Sequence, residues 1–288
     1  MKVDNAIILA AGTASRFAPL SLERPKALIE VRGEVLIERQ IRQLREAGIS
    51  EIVIVVGYRK EDFSYLTEKY GVILVENPDY LTRNNNSSIF AARKYLKNSY
   101  ICSSDNYFLT NPFENDVEGS YYSAVYAPGK TGEWCIMEKD GWIQSVTVGG
   151  ADAWVMLGHV FWSEDFSRTF LSILDESYNR PETADKLWET IYLEHIHRLP
   201  MKIRKYPPDT IFEFDTLDEL RQFDPTYLSD TRSTILKTIA ARLACEEAEI
   251  VDVKSYKTEN NAAAGVRFRV GRKRYVYPYQ TGKLEEIP

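Results

Sequence analysis

Residues 9–31 read LAAGTASRFAPLSLERPKALIEV, a collection that a plain connection does not need. Between Leu9 and Ser15, the residues Ala10, Ala11, Gly12, Thr13 and Ala14 carry small side chains or none, so backbone N–H groups can come close to an anion. Arg16 and Lys26 supply positive charge. A tight strand-to-helix turn accounts for Gly12, but not for Arg16, Pro19-Leu20 and Pro25-Lys26 together; a loop that wraps a polyphosphate accounts for all of them. Asp105 follows a short apolar run and precedes Asn106-Tyr107, where the carboxyl end of a strand would place it to hold a metal. Glu213 and Asp215 are two apart on a predicted strand, and period-two geometry puts both on one face. Such hard oxygen donors suit Mg²⁺, which takes one or two carboxylates beside waters and phosphate oxygens. The chain has 42 Asp and Glu, so an acid needs more than its charge to stand out. Asp105 does so by ending an apolar strand, whereas Glu189 on a predicted helix does so least.

The elements around these residues alternate in type. Strands are predicted at residues 6–10, 51–56, 72–75 and 100–103, with helices at 35–47, 60–70 and 87–96 between them. In the first helix Leu36, Ile37, Ile41 and Leu44 form one apolar face, and Gly48 stands where a helix stops. Strands separated by amphipathic helices imply right-handed crossovers and a mostly parallel sheet. From residue 120 the pattern changes to antiparallel strands at 121–126, 134–138 and 142–148. Helices at 165–178 and 184–195, a strand at 211–215 and a helix at 217–223 complete this part. The fold class is α/β: a Rossmann-like, three-layer arrangement with a mostly parallel mixed sheet over residues 1–224. Asp224-Pro225 marks a boundary, followed by a small α+β appendage at 229–288 with a helix at 229–245 and strands at 250–257 and 266–277.

Bulk properties exclude several classes. The chain has 288 residues, 44% of them hydrophobic, and a net charge of −6, so no global basic field suits nucleic acid. No apolar run reaches the ~20 residues of a spanning helix, and no signal-peptide pattern opens the chain. Cys102, Cys135 and Cys245 are an odd number without metal-ligand spacing, as expected of reduced thiols in a cytoplasmic protein. His195 and His197 have no Cys or acid spaced to complete a zinc site. Nothing in the pattern assigns an oligomeric state.

The stretch LAAGTASRFAPLSLERPK resembles the signature L-A-A-G-x-G-[ST]-R-x-x-P-L-T-x-x-x-P-K of the nucleotidyltransferases that make NDP-sugars and CDP-alcohols. It departs at Ala14, where that signature has Gly; a Cβ there crowds a phosphate or alters φ. Within this superfamily the chain is most similar to the bacterial CTP:phosphocholine cytidylyltransferases, through ISEIVIVVGYRKEDFSYLTEKYGVILVENPDY, the NNNSS loop, SSDNYF, GEW, ADKLWE and FEFD. The resemblance implies transfer of a cytidylyl group from CTP to phosphocholine, giving CDP-choline and pyrophosphate, with Mg²⁺ on Asp105 and Asp215 and support from Glu213 and Glu189. It implies that Arg16 and the loop N–H groups hold the β- and γ-phosphates and that Lys26 serves the α-phosphate, with Tyr58 and Ser87 as candidates for base and ribose. A quaternary ammonium has no N–H to donate, so aromatic faces must hold it. Trp134 matches a choline-lining position, with Tyr107, Trp162, Trp188, Tyr80 and Tyr192 as further candidates. A sugar 1-phosphate or phosphoethanolamine acceptor, or a nucleotide-binding regulator without turnover, are the alternatives. Residues 250–279 loosely resemble the opening strands of a choline-kinase-like N-lobe, which stops before any kinase chemistry; an unrelated packing module fits as well. Every candidate site residue precedes Asp224, so the appendage is expected to be dispensable for substrate binding.

Overall fold

The computed structural model describes residues 1–257 and 263–288. It divides into two units, residues 1–12 with 37–213, and residues 13–36 with 214–288. Among the described residues no helix is long and apolar enough to cross a membrane.

The first unit is built on a seven-stranded mixed sheet. Four of its strands, β1 (Asn5–Ala10), β2 (Ile52–Val56), the edge strand β3 (Ile73–Glu76) and β4 (Ser99–Ser103), run parallel. β2 reads IVIVV and is buried along its whole length, as a strand covered on both faces must be. Registers such as Ile8 opposite Ile54 and Leu9 opposite Ser103 align the carboxyl ends of these strands. Helix α1 (Leu36–Glu46) buries Ile37, Ile41 and Leu44 against the sheet, the stripe its spacing predicts. Helix α2 (Asn86–Ala91) is shorter than the periodicity suggests.

Beyond β4 come the short strand β5 (Asn106–Phe108), the long strands β6 (Tyr121–Lys139) and β7 (Trp142–Trp162), helices α3 (Glu164–Ser177) and α4 (Trp188–Glu194), and strands β8 (Lys202–Tyr206) and β9 (Ile211–Glu213). The sheet order is β8-β6-β7-β4-β1-β2-β3, with β7 antiparallel to both β4 and β6. The three antiparallel strands expected after residue 120 are in fact one continuous ribbon. Its ladder shifts register between Ala127 and Lys130 and again between Thr131 and Trp134, so bulges absorb the residues that otherwise signal turns. The aromatic core of this unit joins Trp162 to Phe166, Phe170 and Trp188 at ring-centroid distances of 5.1, 4.6 and 5.2 Å.

The second unit contains the 13–36 segment, helix α5 (Leu217–Phe223), helix α6 (Thr234–Leu243) and a four-stranded antiparallel meander: β10 (Ile250–Lys257), β11 (Ala263–Val270), β12 (Lys273–Pro278) and β13 (Glu285–Ile287). Part of the run that resembles a kinase lobe, residues 258–262, lies outside the described residues. The guanidinium of Arg221 is buried on α5 and donates to the carbonyls of Ile250 at 2.6 Å, Glu247 at 2.7 Å and Tyr227 at 3.3 Å.

Candidate active site

In the first unit, β1 delivers Leu9, Ala10 and Ala11 to the carboxyl edge of the sheet, and Gly12 is exposed there. The Tyr58 N–H donates to the Ala11 carbonyl at 3.0 Å. Gly57 beside it has no room for a side chain: a Cβ would lie 2.7 Å from the Tyr80 ring and 2.9 Å from the Ala11 carbonyl oxygen. Tyr58 and Tyr80 are half-buried at this edge.

Asp105 sits in the turn between β4 and β5, half-buried, with the Ser104 N–H donating to the Leu9 carbonyl at 3.3 Å. Helix α1 holds this turn. Gln40, with no exposed surface, donates through Nε2 to the carbonyls of Ser103 and Asn106, both at 2.9 Å. Gln43 donates to the Phe108 carbonyl at 3.0 Å, and Arg39 to the carbonyls of Phe108 and Leu109. These three residues do not figure among the sequence candidates. Their signal is two glutamines at positions 40 and 43 that helical spacing places with the buried stripe, where a polar side chain needs a partner.

β9 pairs antiparallel with β5 and sets Glu213 opposite Asn106. The strand stops there, so the expectation that Glu213 and Asp215 share a strand face is corrected: Asp215 lies beyond the strand, at the entry to α5. Glu189 on α4 accepts from Asn85 Nδ2 at 3.1 Å and from the Tyr122 hydroxyl at 3.4 Å. Desolvation by burial pushes its carboxyl up from the ordinary value of 4.5 to about 7, against the lowering effect of those hydrogen bonds. Burial first, then the charges of Glu189 and Glu213, raise the Tyr122 hydroxyl. Glu189 is half-buried, with both carboxylate oxygens engaged by Asn85 and Tyr122.

The six aromatic candidates divide sharply. Trp162, Trp188 and Tyr192 are core rings with 0%, 3% and 0% exposure, Trp188 stacking on Tyr122, so they present no face to a ligand. Tyr107 is buried as well, with the Arg39 guanidinium 4.3 Å from its ring centroid. Trp134, on β6 opposite Val148, and Tyr80 are half-buried at the edge of the core and keep accessible surface. Ser87 is corrected too. It is buried, its hydroxyl donates to the Asn84 carbonyl and accepts from Asn77 Nδ2, both at 2.8 Å, and it is committed to bracing the Asn84–Asn86 loop.

In the second unit, Ala14 adopts φ 46° and ψ 45°, so the residue that replaces the signature glycine keeps a left-handed backbone. Thr13, Ala14 and Ser15 are half-buried and Arg16 is exposed. Arg16 contacts Asp215 at 2.5 Å, and the Lys26 Nζ lies 3.7 Å from the same carboxylate. Lys26 is only 8% exposed and also lies over the Phe17 ring. The Asp215 backbone is fixed by a capping box, its N–H donating to Glu219 Oε2 at 2.7 Å while Thr216 and Glu219 cap α5 reciprocally. Buried Phe214 packs at a tilt against Phe223, with ring centroids 5.0 Å apart, and anchors the same corner. Two cations thus converge on one carboxylate, a charge arrangement chemically suited to phosphate oxygens. Among the described residues no three His, Cys, Asp or Glu side chains form a ready-made metal cluster. A protein contribution of one or two carboxylates fits a cation that keeps water and phosphate ligands.

A MobA-like NTP transferase domain matches residues 6–140. Choline-phosphate cytidylyltransferase from Streptococcus pneumoniae is 37% identical over 220 residues, 76% of this chain and 96% of that protein. 2-Aminoethylphosphonate cytidylyltransferase from Lancefieldella rimae is 36% identical over 239 residues, 80% of this chain and 95% of that protein. Among solved structures, CTP:phosphocholine cytidylyltransferase from Streptococcus pneumoniae superimposes with a TM-score of 0.75 at 36% identity, covering 78% of this chain and 99% of its own. The chain belongs to the bacterial cytidylyltransferase family that these proteins represent.

Proposed function

We propose that the protein transfers the cytidylyl group of CTP to phosphocholine. The observation that supports this reading best is the family's cationic signature, intact at Arg16 and Lys26 and gathered around one carboxylate, Asp215. A phosphocholine oxygen attacks the α-phosphorus, the bond from that phosphorus to the bridging oxygen of the β-phosphate breaks, and pyrophosphate leaves with the electron pair. No covalent enzyme intermediate is needed, so positioning and charge neutralisation carry the rate. Loop N–H groups and Arg16 hold the β- and γ-phosphates. Lys26 neutralises charge at the α-phosphate. Asp105 and Asp215 are the carboxylates proposed to hold Mg²⁺, Glu213 supports them, and the ion when bound supplies Lewis-acid neutralisation of phosphate charge. Tyr58 is the remaining candidate for base contact. Trp134 and Tyr80 offer ring faces to the trimethylammonium group.

A second acceptor reading rests on Glu189. A carboxylate bound by Asn85 and Tyr122 suits an ammonium with N–H donors, as in 2-aminoethylphosphonate or phosphoethanolamine, better than a quaternary one. Competition between equimolar phosphocholine, phosphoethanolamine and 2-aminoethylphosphonate for limiting CTP decides between them. CDP-choline as the dominant product supports the first reading, and dominance of either primary-amine product replaces it with the second.

A further inference from the structure

The small antiparallel sheet at the C-terminus is additional to the nucleotidyltransferase sheet, and the solved cytidylyltransferase from Streptococcus pneumoniae aligns with 78% of this chain. It is not a detached appendage. The Ser255 hydroxyl, on β10, donates to the Ser15 carbonyl at 2.6 Å, inside the signature loop. A second tether joins Glu23 to the start of α6, its carboxylate accepting from the N–H groups of Thr234 at 2.7 Å and Ile235 at 3.2 Å. We propose that Ser255 is a positioning residue for the nucleotide, fixing the peptide that carries the Arg16 N–H and the left-handed turn at Ala14 before it. The inference rests on the nucleotidyltransferase reading of the loop.

Ala14 sits at φ 46°, a region that a residue with a Cβ populates rarely, where the family signature has glycine. The loop therefore needs support from outside itself. Its own closing bonds are Phe17 N–H to the Ala14 carbonyl at 2.9 Å and Ala18 N–H to the Ser15 carbonyl at 3.3 Å, the second long. Ser255 adds a short bond to that same Ser15 carbonyl. The peptide joining Ser15 to Arg16 is planar and trans, so its C=O and N–H point in opposite directions. Holding the carbonyl toward β10 aims the Arg16 N–H away from it, on the side left for an anion. Ser255 lies opposite Val266 in the β10–β11 ladder, between two register shifts, with Val253 and Ile250 buried and Arg221 donating to the Ile250 carbonyl. On this proposal residues 229–288 are not dispensable for nucleotide binding, because one of their side chains orders the phosphate loop.

The test uses the full chain and calorimetric titration with four probes, CTP, UTP, GTP and ATP. The tightest-binding nucleotide then probes Ser255→Ala and Ser255→Thr. Removing the hydroxyl should weaken its binding about three- to tenfold, the range that one lost hydrogen bond spans. Ser255→Thr, which keeps the hydroxyl, should restore affinity to within about twofold. The Michaelis constant for the phosphoryl acceptor should not move. Amide exchange in Ser255→Ala should quicken at residues 13–18 and not in β2. Unchanged nucleotide affinity in Ser255→Ala overturns the proposal, as does an equal loss in the Thr variant. So does a loss shared by both substrates with faster exchange throughout, which marks general destabilisation. A wild type that prefers another nucleotide overturns the cytidine reading alone, and the loop test runs on that nucleotide. A wild type that binds none of the four overturns both.

Discussion

Lys26→Met isolates the charge on which the proposed chemistry depends. The Lys26 stem is buried, and methionine keeps an unbranched apolar chain of similar reach, so little packing is lost. The ammonium lies 3.7 Å from Asp215, a pair worth about 4.5 kcal/mol of gross attraction at an effective dielectric of about 20. Desolvating a buried ammonium opposes that by several kcal/mol. Asp215 is 34% exposed and keeps Arg16 at 2.5 Å, so it is not stranded when Lys26 goes. These terms nearly cancel, and folding stability should change by about 1 kcal/mol or less. Catalysis has no such cancellation, because the desolvation of Lys26 is already met in the folded protein when nucleotide arrives. A preorganised donor aimed at a transferring phosphoryl group contributes about 3–4 kcal/mol, so kcat/KM should fall about 10²- to 10³-fold. Pyrophosphate release measured against CTP concentration gives kcat/KM, and thermal unfolding of the same sample gives stability. Turnover within threefold of wild type in a folded variant would refute the assignment of Lys26.

Trp134→Ala should raise the KM for phosphocholine at least about tenfold, the equivalent of ~1.4 kcal/mol, while the KM for CTP stays in place. An unmoved phosphocholine KM removes the ring from the acceptor site. Gln40→Leu strips two donors from the Asp105 turn and should lower stability by about 1–3 kcal/mol, with half-maximal activity shifted to higher Mg²⁺; a Mg²⁺ profile identical to wild type would show that the turn does not serve the metal. Glu189 gives a pH signature. Its folded-state carboxyl is raised to about 7, so the folded protein holds the extra proton and stability is greatest below the unfolded value, then falls as pH rises from about 4.5 to about 7. Glu189→Gln cannot titrate. The wild-type-minus-variant difference in unfolding free energy should therefore decline by on the order of 2–3 kcal/mol across that window, and a flat difference contradicts the raised carboxyl.

Much of the candidate site is readable before any fold is known, because its chemistry is local in sequence. The small residues at 10–14, Arg16 and Lys26 lie within one run, and Asp105 announces itself by ending an apolar strand. The central parallel strands are equally legible, since burial on both faces demands unbroken apolar runs such as IVIVV. What escapes is whatever depends on distant partners. Trp162 and Trp134 look alike as letters, and only the packing of Phe166, Phe170 and Trp188 around the first separates a core ring from an accessible one. Asp215 reads as a strand residue because Ile211–Glu213 alternates correctly, yet the capping box at Thr216 and Glu219 ends the strand early. Ser87 could serve a ligand or a neighbouring loop by type alone, and Asn77 and Asn84 decide for the loop. Ser255 lies 240 residues from the carbonyl it binds, a separation across which no local pattern carries information.

The ³¹P spectrum of a mixture of CTP, phosphocholine, Mg²⁺ and the purified chain tests the proposed transfer most directly. The phosphocholine monoester resonance should disappear as two coupled diphosphate resonances and free pyrophosphate grow in equal amounts. A phosphocholine resonance that persists, with CTP either intact or cleaved only to CMP and pyrophosphate, would contradict it.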